Sequence, residues 1–292
     1  MLLLGSTGYI GSKFAEKLDT FHSLPYGEVN VQNLLNLWTG TQFQTIVNCA
    51  GYIGRPNVDN VEKNKEEAVY GNIILPSVLA EFANIVKDVR ILHVSTGCIY
   101  IDKGQDVHYT EEDPPNLDWN SVDPCSFYGG TKSMAEKIIA RSPQHYICRL
   151  RMPFDEESGE RNYLSKLMKY NTLLSRPNSL THRGDFVKAC LAMLEKEVEF
   201  GIYNVVNTGA ITAKQTCRLI NKYFTPKEFN FFKNEEEFYT NTGCGPRSNC
   251  ILSNQKLLDA GIKMRKAKTA VEYSLKNWLY QKRSGIVKKH KK

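Results

Sequence analysis

The sequence predicts an α/β fold, in which a Rossmann-type doubly wound parallel sheet is followed by a smaller mixed C-terminal region. Two observations lead to this prediction. Apolar residues 2–4 run directly into a turn with three glycines, and residues 12–18 then have the pattern of a helix. Further along, short apolar strands alternate with helices as far as Arg151, as in a parallel sheet covered by helices on both faces.

The glycine turn Gly5-Ser-Thr-Gly8-Tyr-Ile-Gly11 has the composition of a phosphate-binding loop. Glycines allow a tight turn, and the N-terminus of the following helix presents free amides to a pyrophosphate. Ordinary turns also contain glycine triplets, but the position between a strand and a helix favours a dinucleotide site. Asn48-Cys-Ala-Gly51 ends a later strand, at the edge where an open parallel sheet binds its ligand. The candidate cofactor-binding residues in these two segments are Gly5, Thr7, Gly8, Tyr9, Ile10, Gly11, Ala50 and Gly51.

The other predicted elements follow in chain order. In the first half they are a brief strand at 22–24, helix 31–38, strand 45–49, helix 65–84 interrupted only at Pro76, strand 90–94, helix 128–140 and strand 146–151. The second half contains helices 163–170, 183–195 and 213–224, strand 202–207 and a last helix 267–282. We therefore predict a dinucleotide-binding domain at 1–152 to which some later elements return, a mainly substrate-binding region at 153–282, and a disordered basic tail at 283–292.

Composition restricts the function classes. The formal net charge is +7, and six basic residues lie after position 281, so the rest of the chain is close to +1 (7 minus 6). The tail could contact nucleic acid, but a solvated terminus is the favoured interpretation. The eight cysteines form no Cys-x-x-Cys pair, which argues against a zinc site and a redox dithiol. Without an 18-residue apolar run or a signal peptide, we expect a cytoplasmic protein that binds no metal, nucleic acid or membrane.

Two short segments carry reactive side chains. Thr96-Gly-Cys98 follows the strand at 90–94, and Tyr128-Gly-Gly-Thr-Lys132 begins a helix 30 residues after Cys98. Residues four apart lie on one helix face, so the ammonium of Lys132 is expected to lower the pKa of the Tyr128 phenol. Tyr and Lys four residues apart also occur by chance on solvated helices. Together with the glycine turn, however, they predict an acid–base site beside a bound cofactor.

In combination these residues resemble the extended short-chain dehydrogenase/reductase superfamily. Further segments resemble its bifunctional UDP-4-keto-6-deoxyglucose 3,5-epimerase/4-reductases of plants and giant viruses. These segments are Gly54–Asp59, Ser95–Tyr100, Arg149–Pro153, Arg161–Lys166, Arg176–Ser179 and Gly245–Asn249. The resemblance implies NADPH or NADH at the glycine turn, with Lys132 on the nicotinamide ribose and Thr96 and Tyr128 on the substrate C4 carbonyl. Near residue 22 there is no Asp or Arg of the kind that binds the adenosine ribose in this superfamily. The cofactor choice therefore stays open between NADPH, the first candidate, and NADH.

The resemblance also implies an epimerisation site. Cys98 stands where simple 4-ketorhamnose reductases have Tyr and where related fucose-forming enzymes have an acid–base Cys. Lys166 matches a lysine of the plant enzymes and would be the second acid–base group. A buried spacer cysteine and an exposed helix lysine are the alternatives. Arg247 is the first candidate for the substrate diphosphate, and Arg55, Asn57 and Asn178 are weaker candidates for sugar or uracil, with a loop salt bridge as the alternative for Arg55.

The function implied is 3,5-epimerisation of UDP-4-keto-6-deoxy-D-glucose followed by NAD(P)H-dependent 4-keto reduction to UDP-L-rhamnose. A 4,6-dehydratase would carry Asp-Glu after Thr96, but Gly97-Cys98 lacks both carboxylates. A separate UDP-glucose 4,6-dehydratase is therefore expected to supply the substrate. Alternatives are a single-function 4-reductase of a nucleotide-linked 4-ketorhamnose and a cofactor-binding regulatory subunit. A homodimer, common in this superfamily, is also expected.

Overall fold

The computed structural model describes residues 1–55, 57–101, 107–117, 119, 126–245 and 247–283. The tail was predicted at 283–292, but Arg283 is the last residue of a helix; residues 284–292 and Cys125 lie outside the described residues. Within these residues the chain folds around one central five-stranded sheet in which every strand is parallel to its neighbours. In spatial order its strands are Leu2–Leu4, Thr45–Asn48, Arg90–Thr96, His145–Leu150 and Gly201–Asn204. The predicted α/β fold is thus confirmed.

The predicted second strand is only a single bridge. His22 pairs in parallel with Leu2 on the side of the first strand opposite to Thr45–Asn48. With one residue paired, this segment does not propagate a ladder. Its position still matters, because the chain crosses to one side of strand Leu2–Leu4 and then to the other. The carboxyl ends of these strands therefore form a topological switch point, where open α/β sheets bind ligands.

Helices cover both faces of the sheet. The helices are α1 Gly11–Ala15, α2 Val31–Thr41, α3 Lys65–Val69, α4 Leu75–Val86, α5 Phe127–Ile139, α6 Tyr163–Lys169, α7 Arg183–Glu195, α8 Ala213–Tyr223, α9 Glu235–Thr242, α10 Gln255–Asp259 and α11 Ala267–Arg283. On one face α1 and α7 pack Phe14 and Phe186 against Leu3. On the other face α2, α4 and α5 pack against Leu2 and Leu4. This three-layer arrangement buries alternate residues of each strand on opposite faces.

The helix predicted at 65–84 is irregular, but Pro76 is not where it is interrupted. Between α3 and α4, Tyr70–Ile74 forms a π turn, and Leu75 N–H donates to the carbonyl oxygen of Tyr70, five residues earlier. Pro76 lies in the first turn of α4. The missing N–H of Pro76 falls directly after the π turn, where the regular α-helical hydrogen-bond pattern is already interrupted. The predicted break at Pro76 is therefore wrong.

The segment Lys65–Val86 that contains this turn is long and apolar enough, by length and composition, to cross a membrane. Core helices of soluble proteins pass the same test. Leu75, Leu79 and Phe82 of this segment belong to the cluster that packs against the central sheet. Length and composition alone are weak evidence for a membrane span, and the sequence does not predict one.

The C-terminal region is built from short elements around a third apolar cluster. α6, α8 and α11 contribute Leu164, Ile220 and Leu275 to it. Four two-stranded pairs connect the loops of this region: Pro153–Phe154 with Thr181–His182, Pro177–Asn178 with Ile211–Thr212, Thr172–Leu173 with Asn230–Phe231, and His108–Tyr109 with Ile251–Leu252. Helices α9 and α10 were not predicted. The domain boundary at residue 152 stays a prediction.

Candidate active site

The glycine turn before α1 has no room for side chains at two positions. A Cβ on Gly11 would lie 2.0 Å from the carbonyl oxygen of Gly5. Gly5 has a φ of +71°, and a Cβ there would lie 2.7 Å from the backbone nitrogen of Ala50. Gly8 N–H closes the turn by donating to the Gly5 carbonyl oxygen at 2.9 Å. The glycines thus bring the turn against the end of the neighbouring strand.

The backbone of this turn fits the pyrophosphate of a dinucleotide cofactor. Among the described residues, the N–H groups of Tyr9 and Ile10 have no protein acceptor. Thr7 and Gly8 are exposed. Free amides in a glycine turn before a helix are suited to bind a phosphate. The cofactor contacts themselves stay a prediction.

The Tyr9 side chain ties the turn to the C-terminal region. Its hydroxyl donates to Oδ1 of buried Asp155 at 3.3 Å, and the Arg183 guanidinium lies 4.5 Å from the centre of its ring. Nη1 of Arg183 also donates to the Tyr9 carbonyl oxygen at 2.9 Å, and its Nε lies 2.6 Å from Oδ2 of Asp155. Burial, together with Asp155, raises the pKa of the Tyr9 phenol. The side chain is therefore a structural connection, while the backbone of Tyr9 faces the predicted cofactor site.

Asn72, in the π turn, fixes the other half of the predicted cofactor site. Its Oδ1 accepts from Tyr52 N–H at 2.9 Å, and its Nδ2 donates to Thr131 Oγ1 of α5 at 3.1 Å. A Cβ on Gly51 would lie 2.9 Å from the same Oδ1. Gly51 is thus required for the loop to approach the π turn. Sequence reasoning did not identify Asn72, since a lone Asn inside an apolar helix gave no signal.

Thr96 and Cys98 lie where strand Arg90–Thr96 ends. Thr96 Oγ1 accepts from Cys98 N–H at 3.1 Å and caps the short turn Gly97–Ile99. α5 comes close to this turn at Gly129. A Cβ on Gly129 would lie 3.2 Å from the Cys98 carbonyl oxygen. The sequence Tyr-Gly-Gly-Thr-Lys therefore allows α5 to bring Tyr128 to the thiol.

Tyr128 is 8% exposed and lies beside Thr96 and Cys98, and the space around these three residues is called the pocket below. Burial raises the pKa of its phenol, the Cys98 thiol adds to the rise, and a side-chain hydrogen bond from Thr96 opposes it. The charges of Arg161 and Arg151 also lower the pKa of the phenol. The phenol is therefore held protonated, as a proton donor requires.

The predicted effect of Lys132 on Tyr128 is wrong. Lys132 is 5% exposed, and its Nζ lies 3.2 Å from Nε2 of His93 and 3.0 Å from the Val94 carbonyl oxygen. Burial lowers the pKa of Lys132 to about 8, with Glu136 opposing. The side chain thus extends towards the neighbouring strand, and the positive charges that lower the pKa of Tyr128 are guanidinium groups.

His93 connects Lys132 to the predicted cofactor loop. Its Nδ1 lies 3.0 Å from Nδ2 of Asn48, and Oδ1 of Asn48 accepts from Ala50 N–H at 3.1 Å. Burial, with Lys132 adding, holds the pKa of His93 well below its usual range, so the ring is neutral. A buried strand histidine carries no motif, and its role was missed from the sequence.

Lys166 faces the same pocket. Burial lowers its pKa, Arg161 and Arg247 lower it further, and Cys98 opposes them. Lys166 therefore lies within electrostatic range of Cys98, and its acid–base role stays a prediction. Arg161 is half-buried, and burial and the nearby Arg55 lower its pKa. Arg161, which sequence reasoning left out, thus belongs to a cluster of four cations with Arg55, Lys166 and Arg247.

Besides Thr96, the four residues predicted to bind the diphosphate, sugar or uracil are not equivalent. Asn57 Oδ1 caps a turn by accepting from Asp59 N–H at 3.0 Å. Asn178 is buried and uses both ends of its amide on protein groups, so the structure does not leave it open to a sugar. Arg247 forms an ion pair with Asp59 at 2.6 Å, while Arg55 is exposed. Arg55 and Arg247 therefore remain candidates for phosphate, and Asn178 is a supporting residue.

A family model described as the RmlD substrate binding domain matches residues 1–279. The chain is 29% identical over 266 residues to an Arabidopsis thaliana trifunctional UDP-glucose 4,6-dehydratase/UDP-4-keto-6-deoxy-D-glucose 3,5-epimerase/UDP-4-keto-L-rhamnose-reductase. That match covers 88% of the chain but 38% of the plant protein, so the chain spans about two fifths of this relative. A bifunctional dTDP-4-dehydrorhamnose 3,5-epimerase/dTDP-4-dehydrorhamnose reductase of the same plant is 28% identical over 267 residues, covering 88% of the chain and 85% of the relative.

Solved structures with the same fold include two of particular interest. The UDP-rhamnose synthase L780 from Acanthamoeba polyphaga mimivirus aligns with a TM-score of 0.81 and 19% identity, covering 94% of this chain and 97% of the viral chain. A dTDP-4-dehydrorhamnose reductase from Bacillus anthracis in complex with NADP aligns with a TM-score of 0.77 and 17% identity, covering 96% and 98% of the two chains. At these identities the similarity establishes the fold.

Proposed function

Because the chain belongs to the RmlD substrate binding domain family, we propose that it converts UDP-4-keto-6-deoxy-D-glucose to UDP-L-rhamnose by 3,5-epimerisation and NAD(P)H-dependent 4-keto reduction. The observation that carries this proposal is that Tyr128 packs against Cys98 and that Lys166 lies within electrostatic range of the same thiol. The thiol raises the pKa of the phenol and opposes the fall in the pKa of the lysine, so the three groups act on one another. One bound sugar could therefore meet both a reductive and an epimerising set of residues.

The reductive step uses Tyr128 and Thr96. A bound nicotinamide cofactor, NADPH in preference to NADH, supplies the hydride for the C4 carbonyl. Tyr128 then donates its proton to the developing alkoxide, and burial keeps that proton on the phenol until it is needed. Hydrogen bonds from Thr96 and Tyr128 stabilise the negative charge on the oxygen as it forms. Lys132 would hold the nicotinamide ribose.

The epimerising step uses Cys98 and Lys166. The C4 ketone makes the C3 and C5 protons acidic, because the resulting carbanion delocalises onto the carbonyl oxygen. Cys98 removes a proton from one face, and Lys166 returns one to the other face. Burial lowers the pKa of Lys166, which makes its ammonium a better proton donor near neutrality. The same Thr96 and Tyr128 hydroxyls stabilise the enolate.

The cation cluster Arg55, Arg161, Lys166 and Arg247 supports a diphosphate-linked substrate. Only Arg247 of these forms an ion pair with a carboxylate among the described residues. Guanidinium groups bind phosphate oxygens in pairs, so Arg161 and Arg247 would hold the diphosphate next to the reactive pocket. UDP is proposed as the nucleotide, with dTDP as the competing choice.

The partners follow from the chemistry. Since Gly97-Cys98 provides no carboxylates for dehydration, the 4-keto substrate would come from a separate UDP-glucose 4,6-dehydratase. We also propose a homodimer in the cytoplasm. A single-function 4-reductase of an already epimerised sugar is the second candidate, because it needs the same Thr96, Tyr128 and Lys132. A dTDP-4-dehydrorhamnose reductase of Mycolicibacterium smegmatis is 26% identical to the chain over 181 residues.

A coupled assay in deuterated water separates the two candidates. UDP- and dTDP-4-keto-6-deoxyglucose are each supplied with NADPH, and cofactor consumption is followed together with deuterium at C3 and C5. We expect label at both carbons and consumption of NADPH with the UDP sugar. Cys98→Ala should lose the label and still reduce a pre-epimerised 4-keto sugar. Wild-type label in Cys98→Ala would show that Cys98 is not the base, whereas absence of label in the wild-type protein would leave only the reductase.

A further inference from the structure

Arg151 is a buried cation without a carboxylate partner. It follows strand His145–Leu150 and is 3% exposed. Its Nη2 donates to Asn178 Oδ1 at 2.9 Å and to the Ser248 carbonyl oxygen, and its Nη1 points to Cys98 Sγ at 3.1 Å. Over the residues that the structure describes, no carboxylate forms an ion pair with it. A guanidinium keeps its charge in proteins, so its burial without an anion is costly.

Two sulfur atoms lie near this guanidinium, and only one is free to be the anion. Cys250 is fully buried and its Sγ–H donates to the Gly97 carbonyl oxygen at 3.2 Å. Burial raises the pKa of Cys250, although Arg151 opposes the rise. Cys250 is therefore a thiol whose hydrogen is already used. Cys98 Sγ instead accepts from Arg151, and its residue is partly open to the pocket.

We propose that Arg151 is a positioning residue that provides the counter-charge for a Cys98 thiolate and aims its sulfur at the sugar. This rests on the proposed epimerisation. The other groups that face Cys98 are Tyr128, Lys166 and Cys250. Of these, Lys166 is the second cation and Tyr128 is protonated. Arg151 is the cation fixed by hydrogen bonds to Asn178 and Ser248, so it holds the sulfur in one direction.

The proposed step is balanced in protons and electrons. The Cys98 thiolate takes the proton from C5 or C3, so an S–H bond forms as the C–H bond breaks. The electron pair of that bond moves to the carbonyl oxygen and gives an enolate. The Lys166 ammonium protonates the same carbon from the opposite face, and the carbonyl re-forms. The thiol and the amine then return to their starting states by exchanging protons with solvent.

Arg151 keeps its own proton throughout. Burial acts to lower its pKa, but Cys98 and Cys250 outweigh burial and raise the pKa above its ordinary value. The guanidinium is thus a permanent charge, which suits a base that must be ready before the substrate arrives. Asn178 Oδ1 accepts from Nη2 of Arg151 and from Cys250 N–H, the latter at 3.2 Å. These two hydrogen bonds turn the Asn178 amide away from the pocket.

The test measures the sulfur directly, without cofactor or substrate. Iodoacetamide alkylation of Cys98 is followed by mass spectrometry from pH 5 to 10 in wild type, Arg151→Met and Arg151→Lys, with Cys98→Ala to identify the site. We expect Arg151→Met to slow alkylation at pH 7 by about tenfold or more and to move its pH midpoint upward. Arg151→Lys should restore part of the rate. Cys250→Ala, which removes the other sulfur, should leave the alkylation profile unchanged.

A second arm measures deuterium incorporation at C3 and C5 in the same variants. Arg151→Met should lose label in proportion to its loss of alkylation, and circular dichroism checks that the variant is folded. A wild-type alkylation profile in folded Arg151→Met overturns the inference. If Arg151→Met does not fold, a wild-type alkylation midpoint equal to that of a free cysteine overturns it. Retained label in Cys98→Ala instead overturns the proposed role of Cys98 in epimerisation, and absence of label in wild type overturns the epimerisation itself, while the alkylation arm still decides the Arg151–Cys98 pair.

Discussion

Nζ of Lys132 lies 3.2 Å from Nε2 of His93, so a buried amine faces a buried imidazole. On the other side of the ring, Nδ1 of His93 lies 3.0 Å from Nδ2 of Asn48, whose Oδ1 accepts from Ala50 N–H. Burial, with the Lys132 charge adding, holds the pKa of His93 well below its usual range, so the ring is neutral. Burial also lowers the pKa of Lys132 to about 8, so the lysine still carries most of its charge at pH 7.

Replacing Lys132 should stabilise the protein while it removes activity. The pKa of Lys132 falls from 10.5 to about 8 on folding, so between these values the unfolded chain binds more protons and stability rises with pH. At pH 7 the buried charge costs roughly 3 kcal/mol. We expect Lys132→Met to raise the free energy of unfolding at pH 7 by about 1–2 kcal/mol, after the loss of the hydrogen bond to Val94.

The gain in the free energy of unfolding of Lys132→Met over wild type should shrink as the pH rises from 8 towards 10.5. Urea unfolding of the cofactor-free protein at several pH values measures it. Lys188→Met, at an exposed lysine of α7, is the control and should change stability by less than about 0.5 kcal/mol at any of these pH values. A pH-independent effect at Lys132 would show that its charge is not suppressed by burial.

The buried ion pair between Glu136 and Arg149 should be essential for folding. Nη2 of Arg149 lies 2.7 Å from Oε2 of Glu136, with side-chain exposures of 2% and 5%. Arg149→Met would leave a buried carboxylate without its partner and is expected to cost about 3–5 kcal/mol. The double variant with Glu136→Leu should recover much of this loss. Glu197→Gln, which removes an exposed ion pair with Arg90, should cost under about 1 kcal/mol in the same denaturation experiment.

The glycine turn offers a test of the predicted cofactor site. Gly11→Ala places a methyl group 2.0 Å from the Gly5 carbonyl oxygen, so the turn must open. We expect the affinity for NADPH, followed by fluorescence titration, to fall at least about tenfold, a loss of about 1.4 kcal/mol. Gly40→Ala is the matched control, because Gly40 has open space around it in α2 and alanine favours a helix. Unchanged NADPH affinity in Gly11→Ala would place the cofactor elsewhere.

Arg161 should matter for the nucleotide more than for the chemistry. Its half-buried guanidinium lies among other cations, so its removal should weaken binding of a diphosphate. We expect Arg161→Met to raise the dissociation constant for UDP, measured by calorimetry, by roughly tenfold, and to reduce the salt dependence of binding. Arg218→Met, at an exposed arginine of α8, should have no effect. Equal effects of the two changes would argue against a phosphate site at Arg161.

Local patterns predicted most of the fold. Helix α7 has the bounds expected from periodicity, and the strand at 90–94 differs only by two residues at its end. Such elements depend on alternation and helical spacing, which are visible in one segment. The helix break at Pro76 was wrong because the π turn, which depends on packing against α5, lies ahead of the proline and leaves it in a first turn.

The motifs of the site could be predicted from the sequence, but the residues that their side chains contact could not. The spacing of Tyr128 and Lys132 puts both on one helix face, yet the lysine side chain is long enough to reach His93 on the neighbouring strand. Arg151 lies 53 residues from Cys98 in the chain, and its guanidinium meets the sulfur only because the sheet brings two strand ends together. Pairings of this kind have no local signal in a single sequence.

The π turn also sets the phase of the helix that contains it. One extra residue at Tyr70–Ile74 advances everything after it by about 100° around the axis relative to an uninterrupted α-helix. If the same residues formed regular α-helical turns instead, the side chains of α4 would rotate relative to those of α3. Either the apolar face of α4 would leave the sheet or Asn72 would leave Thr131 and Gly51. The length of this segment is thus as constrained as its composition, and insertions or deletions should be tolerated less well here than substitutions.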